Sequence, residues 1–249
     1  MTKRFAVLGS PISHSKSPLI HNYIFEETGF DASYERFEVT ELEDFLGLHS
    51  EFEGFSLTMP LKEQAFVTAR TLDQNARITE AVNTLSKGNL GWSGHNTDVQ
   101  GIANAVGFTP SSVAVIGSGA TARSALAAFP DSRKLIHARN QLAAAELAKK
   151  FECELVELEA ALKSDLVIST VPAGVLPKML DGKEASGTLL DCAYTNPELP
   201  AARYVSGLQM LVHQAIIQQR IFQNDSPSEP LKNEPELIAG VLSVLDMAK

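Results

Sequence analysis

The chain has 249 residues, of which 44% are hydrophobic and 20% are charged. This balance is typical of a folded globular protein, excludes a disordered or fibrous one, and the length suffices for two domains with separate cores. The formal net charge of −9 would repel a nucleic acid, and no stripe of Lys and Arg reverses that charge locally, so we expect no nucleic-acid partner.

Cysteine usage and the apolar runs indicate the compartment. Cys153 and Cys192 lie far apart in apolar, strand-like segments, where reduced thiols pack as small hydrophobic groups. The first apolar run, residues 5–8, is cut at Gly9 and Pro11, too early for a signal peptide, and no run approaches the roughly eighteen residues of a membrane span. We therefore expect a cytoplasmic protein with no membrane partner.

The first third of the chain alternates short apolar strands with helical stretches. The pattern predicts a helix over residues 17–28, with Pro18 in its first turn. Predicted strands lie at residues 5–8, 34–39, 55–58 and 81–85. The Gly- and Asn-rich segment 87–91 predicts a hairpin turn before Trp92. Strands separated by helices indicate an α/β layer structure with a mainly parallel sheet.

A second α/β pattern begins after residues 109–112. A strand over residues 113–116 runs directly into a glycine-rich turn and an alanine-rich helix that ends near Phe129, which is the opening of a nucleotide-binding domain. The later predicted elements are strands at 135–138, 155–156, 166–171 and 189–193, and helices at 142–150 and 158–163. This alternation predicts a doubly wound sheet.

Two helical patterns follow, over residues 210–222 and 237–247, separated by a polar break at 225–230. We expect these helices to return to the first domain. The predicted fold class is therefore α/β with two domains, one formed by residues 1–99 together with 207–249 and the other by residues 100–206.

Residues 117–122, Gly-Ser-Gly-Ala-Thr-Ala, fit a G-x-G-x-x-A pattern between a strand and a helix. Gly117 permits the tight turn, and Gly119 lets a pyrophosphate approach the backbone. Ala122 allows close packing of helix on strand, while Ala120 lies at the positive helix N-terminus. The pattern predicts a dinucleotide site, with an ordinary glycine-rich turn as the alternative.

About twenty residues further on, where an NAD-selective site places Asp or Glu against the ribose 2′-hydroxyl, the chain has His-Ala-Arg-Asn at residues 137–140. Arg139 can pair with a 2′-phosphate through its planar, charged fork. We therefore expect NADP(H) as the cofactor. The alternative is that Arg139 is a solvated surface residue.

Five segments, in this order, carry a resemblance to a known family. They are residues 9–22 (Gly-Ser-Pro-Ile-Ser-His-Ser-Lys-Ser-Pro-Leu-Ile-His-Asn), 57–63 (Leu-Thr-Met-Pro-Leu-Lys-Glu), 81–85 (Ala-Val-Asn-Thr-Leu), 96–98 (Asn-Thr-Asp) and 207–214 (Gly-Leu-Gln-Met-Leu-Val-His-Gln). Spanning essentially the whole chain, they resemble the signature segments of shikimate dehydrogenases.

The resemblance implies an NADP-dependent oxidoreductase that reduces 3-dehydroshikimate to shikimate, a step of aromatic amino acid biosynthesis on the way to chorismate. It also implies that residues 1–99 and 207–249 form the substrate-binding catalytic domain. Residues 100–206 would then form a Rossmann-like NADP-binding domain.

Lys62 matches the family's catalytic lysine, and Asp98 its partner aspartate. Hydride delivery to a carbonyl leaves an oxyanion, and a lysine ammonium supplies both a proton and a positive charge, while a carboxylate stabilises the ammonium. The resemblance implies substrate-binding roles for Ser15, Ser17, Thr58, Asn83, Tyr194 and Gln214. Taken singly, such residues are more often helix caps, turns and solvated helix faces.

Three positions depart from the family's pattern. Ser56 stands where many relatives have asparagine, Ala143 where a second basic residue often contacts the 2′-phosphate, and His95 where an acid is common. The first two departures weaken an expected pocket contact and the expected phosphate clamp, respectively.

Other functions stay open from the sequence. They are a quinate/shikimate dehydrogenase acting oxidatively, an enzyme for the aminated analogue of shikimate, and a non-catalytic protein that senses NADPH and binds a protein partner. The histidines show no paired metal-ligand spacing, so we expect no metal. Either a monomer or a homodimer is compatible with the sequence.

Overall fold

The computed structural model describes residues 2–194 and 197–247. Internal contacts divide the chain into two compact units, Met1–Thr97 with Val212–Lys249, and Asp98–Leu211. These divisions lie two residues and five residues from the boundaries expected from the sequence, 99/100 and 206/207. The functions assigned to the two domains stay predictions at this point.

The first unit contains a six-stranded sheet. Its strands are β1 (Lys3–Gly9), β2 (Ala32–Glu38), β3 (Gly54–Leu57), β4 (Thr71–Leu72), β5 (Thr84–Gly88) and β6 (Gly91–His95). The strand order is β2-β1-β3-β5-β6-β4, in which β1 pairs in parallel with β2 and β3. Because a short turn can join only antiparallel strands, the predicted hairpin of β5 and β6 interrupts the parallel order. The sheet is therefore mixed.

Among its described residues, this unit contains five whole helices and most of a sixth, whose residues 207–211 belong to the second unit. They are α1 (Ser17–Thr28), α2 (Leu42–Leu48), α3 (Leu61–Thr68), α4 (Gln74–Thr79), α10 (Gly207–Asn224) and α11 (Glu234–Met247). One core contains Phe55 and Leu57 of β3. The other contains Phe5 of β1 with Ile217 and Ile221 of α10. Strand residues alternate between the two faces, so β1 contributes Ala6 and Leu8 to the first core and Phe5 and Val7 to the second.

The second unit contains a six-stranded sheet in which every pair is parallel. Its strands are β7 (Ser112–Ile116), β8 (Arg133–His137), β9 (Glu154–Leu155), β10 (Leu166–Ser169), β11 (Ala185–Asp191) and β12 (Ala201–Ser206). Its helices are α5 (Asp98–Val106), α6 (Ala120–Ala128), α7 (Gln141–Phe151), α8 (Leu158–Ala161) and α9 (Val175–Leu180).

The strand order β12-β11-β10-β7-β8-β9 is that of a Rossmann fold, since the chain winds outward from β7 in one direction and from β10 in the other. The central strands are apolar on both faces: residues 113–116 and 166–168 are buried throughout. The predicted doubly wound α/β fold is confirmed. Ligands bind such sheets in the crevice at the carboxyl ends of the two strands where the order reverses.

Among residues 2–194 and 197–247, no helix is long and apolar enough to cross a membrane.

Candidate active site

Two of the resembling segments start from one edge of the first sheet. The parallel strands β1 and β3 end at this edge, where the N–H of Thr58 donates to Leu8 O at 2.9 Å and the N–H of Ser10 donates to Met59 O at 2.9 Å. Gly9 permits this approach, because a Cβ at position 9 would collide with the side chain of Thr58. The loops after β1 and β3 are thereby joined.

Ser15 and Ser17 lie together where α1 begins. The N–H of Ser17 donates to Oγ of Ser15 at 3.3 Å, and Ser17 is buried while Ser15 is half-buried. The N-cap residue of α1 is Lys16, and no side-chain hydrogen bond caps the helix. Helix capping therefore does not account for the Ser17 hydroxyl, and both hydroxyls stand at the positive end of a helix dipole, which favours an anion.

Lys62 and Asn83 are held in register by backbone hydrogen bonds. The carbonyl of Lys62 accepts from the N–H of Val82 at 2.9 Å, and the N–H of Leu57 donates to the carbonyl of Asn83 at 2.8 Å. Lys62 lies in the first turn of α3 and is half-buried. This register brings the segment of the lysine beside the segment of the asparagine at the end of β3.

The side chain of Asn83 is buried and hydrogen-bonded on both sides. Its Nδ2 donates to Oγ1 of Thr97 at 2.9 Å and to Oε1 of Gln214 at 3.4 Å, and its Oδ1 accepts from the N–H of Thr97 at 2.9 Å. Asn83 and Gln214 are 2% and 7% exposed. The structure therefore brings together two of the predicted substrate-binding residues, one from the segment that leads into β5 and one from α10.

Asp98 is the first residue of α5 and follows Thr97 directly. Its side chain is 4% exposed. A buried carboxylate is costly unless it is paired, so its retention at this place is typical of a functional group. Its predicted pairing with Lys62 stays a prediction.

The glycine-rich turn joins β7 to α6 at the point where the strand order of the second sheet reverses. Gly117 has a φ of 125°, a conformation that favours glycine. Gly119 is extended, and no atom lies within 4 Å of the position that its Cβ would occupy. Ala120 is the first residue of α6, and Ala122 is fully buried against the sheet. Only Gly117 is therefore required by the turn itself, and open space in front of Gly119 suits a bound pyrophosphate.

Arg139 follows β8, the strand next to β7, and is exposed. The next residue, Asn140, caps α7 by accepting from the N–H of Ala143 at 3.2 Å. Because β7 and β8 are parallel neighbours, Arg139 and the glycine-rich turn lie at the same edge of the second sheet. In a Rossmann site this edge holds the adenosine ribose.

Tyr194 follows β11, and its N–H donates to the carbonyl of Cys192 at 3.1 Å. Its side chain is half-buried. It belongs to the second unit, so the structure does not group it with the substrate-binding candidates of the first unit.

A layer of buried polar side chains next to Asn83, which we describe as lying below it, was not predicted from the sequence. It contains His21, Tyr34, Ser56, Thr84, Gln218 and Gln219, each of which is at most 5% exposed. The available signal was the pair of glutamines in the stretch 215–222 of α10, where the other residues except Arg220 are apolar, since long polar side chains on a buried helix face need partners. Ser56, which the sequence placed among the pocket contacts, belongs to this layer.

Among the described residues, no three His, Cys, Asp or Glu side chains come close enough to hold a metal ion.

The comparisons with known proteins concern both units. The profile of the shikimate dehydrogenase substrate binding domain matches residues 7–85. The shikimate dehydrogenase (NADP(+)) of Leptospira interrogans is 32% identical over 272 residues, which cover 91% of this chain and 91% of that protein.

Solved structures are similar over nearly the whole chain. The shikimate dehydrogenase of Mycobacterium tuberculosis superposes with a TM-score of 0.86 at 32% identity, covering 98% of this chain and 100% of that chain. The shikimate 5-dehydrogenase of Thermus thermophilus, solved in complex with NADP(H) and shikimate, has a TM-score of 0.81 at 26% identity, covering 97% of this chain and 99% of that chain.

Proposed function

The chain belongs to the shikimate dehydrogenase family, and we propose that it catalyses the NADP-dependent interconversion of 3-dehydroshikimate and shikimate. The proposal is carried by two sets of contacts in the first unit. Hydrogen bonds join the loop after β1 to the loop after β3, and the side chains of Asn83 and Gln214 contact each other. These contacts join four separate family segments at the carboxyl end of β3, and the segments carry the hydroxyl, amide and ammonium groups that the proposal needs. The substrate carries a carboxylate, hydroxyls and a ketone that match these groups.

In the first unit, the hydroxyls of Ser15 and Ser17 bind the substrate carboxylate at the start of α1. The amides of Asn83 and Gln214 bind ring hydroxyls, and Thr58 borders the same place. The contact between the two amides is long, 3.4 Å, so a substrate hydroxyl can replace it at small cost. We assign Tyr194 a further contact to the substrate.

NADPH, when bound, supplies the hydride that adds to the ketone carbon. Lys62 donates the accompanying proton to the carbonyl oxygen, so that one hydride and one proton convert the ketone to an alcohol. Asp98 stabilises the ammonium form of Lys62 and binds a neighbouring hydroxyl. In the reverse direction Lys62, once neutral, accepts the proton of the alcohol.

The second unit holds the cofactor. Backbone N–H groups at Gly119, Ala120 and the first turn of α6 bind the pyrophosphate, for which Gly117 shapes the turn and Ala122 brings the helix close to the sheet. Arg139 binds the 2′-phosphate, which selects NADP over NAD. The domain assignment follows: residues 1–99 with 207–249 bind substrate, and 100–206 bind NADP.

Three further properties belong to this proposal: the compartment, the pathway and the oligomeric state. Among the described residues, Cys153 and Cys192 form no disulfide bond, which suits a reducing cytoplasm. The reaction places the protein in aromatic amino acid biosynthesis, before chorismate. A monomer needs no partner copy for the contacts above, and sedimentation velocity of the purified protein distinguishes it from a homodimer.

The test is the initial rate of nicotinamide reduction, measured by absorbance at neutral pH, with shikimate or quinate and with NADP+ or NAD+. Turnover with shikimate and NADP+ well above the other three combinations is expected. Preference for quinate or NAD+ would identify an oxidative relative. Binding of NADPH without turnover of any substrate would identify a sensor protein and overturn the proposal.

A further inference from the structure

In the buried polar layer below Asn83, backbone groups determine which side-chain atom donates and which accepts in each hydrogen bond. Nε2 of Gln219 lies 3.3 Å from the carbonyl oxygen of His21, which can only accept, so this nitrogen is the donor. Oε1 of Gln219 accepts from Gln223 at 2.7 Å, as this orientation requires. The amide of Gln219 is thus fixed.

The orientation of Gln219 fixes the tautomer of His21. Nε2 of Gln219 also donates to Nδ1 of His21 at 2.8 Å, so the imidazole is neutral and carries its proton on the other nitrogen. The imidazole Nε2–H then donates to Oε1 of Gln218 at 3.2 Å. The ring stacks on Tyr34 with centroids 4.1 Å apart, which holds its plane.

Gln218 is the centre of the layer. Its Oε1 accepts a second hydrogen bond, from Oγ of Ser56 at 2.8 Å, and Ser56 accepts from the hydroxyl of Tyr34. Its Nε2 donates to the carbonyl oxygen of Asn83 at 3.1 Å and to Oγ1 of Thr84 at 2.9 Å. All four hydrogen-bonding positions of this amide are satisfied. A reversed amide would place oxygen against the carbonyl of Asn83.

Thr84 passes this direction to the candidate active site. Its hydroxyl accepts from Gln218 and donates to Oδ1 of Asn83 at 2.8 Å. The oxygen side of the Asn83 amide therefore faces Thr84 and the N–H of Thr97, and the NH2 side faces Gln214. His21, Gln218, Thr84 and Asn83 form a relay in which each member donates to the next.

We infer that Gln218 and Thr84 are positioning residues. They orient the side-chain amide of Asn83 from the buried layer and thereby position the substrate. The inference rests on the proposed role of Asn83 in binding substrate hydroxyls. Apolar side chains would fill this buried layer without the cost of desolvating polar groups. A satisfied polar layer instead specifies one orientation, and this one ends at the two amides of the site.

The substitution Thr84→Val tests the inference, because it keeps the shape of the side chain and removes the hydroxyl. We expect it to raise the KM for shikimate about tenfold, which corresponds to about 1.4 kcal/mol, the value of one buried hydrogen bond. The KM for NADP+ should stay at the wild-type value, and kcat should change less than the shikimate KM. Thr84→Ser keeps the hydroxyl and should restore the wild-type KM.

Thr28→Val is the matched control, since among the described residues the Thr28 hydroxyl bonds only to carbonyls of its own helix. Its kinetic constants should equal those of the wild type. If Thr84→Val does not fold, Ser56→Ala, which removes one donor to Gln218, should raise the shikimate KM by a smaller factor. Equal KM values for the Val and Ser variants, or a fall in kcat alone, would overturn the inference.

A measurement without substrate tests the direction of the relay by itself. In the 15N spectrum of histidine-labelled wild-type protein at pH 6, one imidazole should be neutral with its proton on Nε2. The signals of this imidazole should be absent from the spectrum of His21→Phe. A proton on Nδ1 of His21 would contradict the relay. Absence of shikimate turnover in the wild type would refute the proposed function instead, and would leave this spectrum unaffected.

Discussion

Gly117 and Thr170 approach each other so closely that a Cβ on Gly117 would overlap the Thr170 hydroxyl oxygen. Thr170 is itself fixed, because its N–H and its hydroxyl both donate to the carbonyl of Ile116, at 2.9 and 3.1 Å. This contact joins the turn after β7 to the turn after β10, the two strands between which the order of the second sheet reverses. The proposed dinucleotide site is therefore built on a glycine that the protein's own packing requires.

Gly119 differs from Gly117, so alanine substitutions at the two positions distinguish an effect on folding from an effect on cofactor binding. Gly119→Ala meets no atom of the protein and needs no unusual backbone angle, so the melting temperature should stay within about 2 °C of the wild type. The added methyl group lies where the pyrophosphate approaches, so the dissociation constant for NADPH should rise tenfold or more. Gly117→Ala should lower both the melting temperature and the NADPH affinity. Unchanged NADPH binding by Gly119→Ala, measured by fluorescence titration, would refute the pyrophosphate assignment.

The proposed proton donor is tested by Lys62→Met, which keeps length and removes the charge. We expect kcat to fall about a hundredfold or more, as for a lost general acid, with little change in NADPH affinity. Lys87→Met is the control, because the Lys87 ammonium binds the carbonyl of Ser50 on an exposed surface at 2.8 Å. A kcat for Lys62→Met within threefold of wild type would exclude this residue as the proton donor.

Much of the fold was predictable because its signals are local. The helix Ser17–Thr28 has Pro18 in its first turn and a left-handed Gly29 at its end, and its predicted bounds are confirmed. The α/β fold class, the family and the enzyme class predicted from the sequence are likewise confirmed. Several elements were missed, namely the helices α2, α3, α4, α5 and α9 and the strands β4 and β12. The residues of β12, Ala-Ala-Arg-Tyr-Val-Ser, are mostly polar or small, since this strand lies at a sheet edge.

The candidate site was predictable only in part. Resemblance identified single residues such as Asn83, but not Gln218, because this residue lies more than 130 positions away in the sequence, on α10. Periodicity predicts which helix face is buried and does not predict that Gln218 on that face meets Ser56 and His21. The individual residue roles and the domain functions stay predictions.

Cofactor selectivity depends on Arg139 in the proposed site. Arg139→Ala should raise the KM for NADP+ about tenfold or more and leave that for NAD+ unchanged, because NAD+ lacks the 2′-phosphate. Ala143→Arg, in the first turn of α7, should lower the KM for NADP+ by supplying a second charge. The KM for NAD+ is the internal control in both cases. An unchanged ratio of the two KM values in Arg139→Ala would contradict the assignment.

The ion pair of Arg220 and Glu234 links α10 to the start of α11. Two hydrogen bonds of 2.6 Å join them, and the side chains are 22% and 13% exposed. Because the pair is largely shielded, Glu234→Gln should lower the free energy of unfolding by about 1.5–3 kcal/mol in urea denaturation. Glu35→Gln breaks a pair with Arg4 that is 38% and 41% exposed, and should cost less than about 1 kcal/mol. Equal losses would show that burial does not decide the strength of these pairs.

Acid should destabilise this protein partly through His21. Burial lowers the pKa of His21 to about 3 from an ordinary 6.5, against the opposing effect of its hydrogen bond to Gln218. Between these two pH values the unfolded chain binds a proton that the folded chain does not, so the free energy of unfolding falls as the pH falls. The free energy of unfolding changes by about 1.4 kcal/mol per pH unit in this range. Above pH 6.5 His21 is neutral in both the folded and the unfolded chain, so its full stabilising contribution is present there.

His21→Phe isolates this contribution, because it keeps a ring stacked on Tyr34 and removes the titrating group. The variant should be less stable than the wild type at pH 7.5, since Gln218 and Gln219 lose a partner. The difference between the two unfolding free energies should shrink as the pH is lowered from 6.5 to 4.5, because acidic groups shared by both proteins cancel in the difference. Urea denaturation at four pH values over this range measures it. If the unfolding free energies of the two proteins changed in parallel with pH, His21 would take up its proton in the folded state. A neutral imidazole that is hydrogen-bonded through both ring nitrogens in this layer does not allow that uptake.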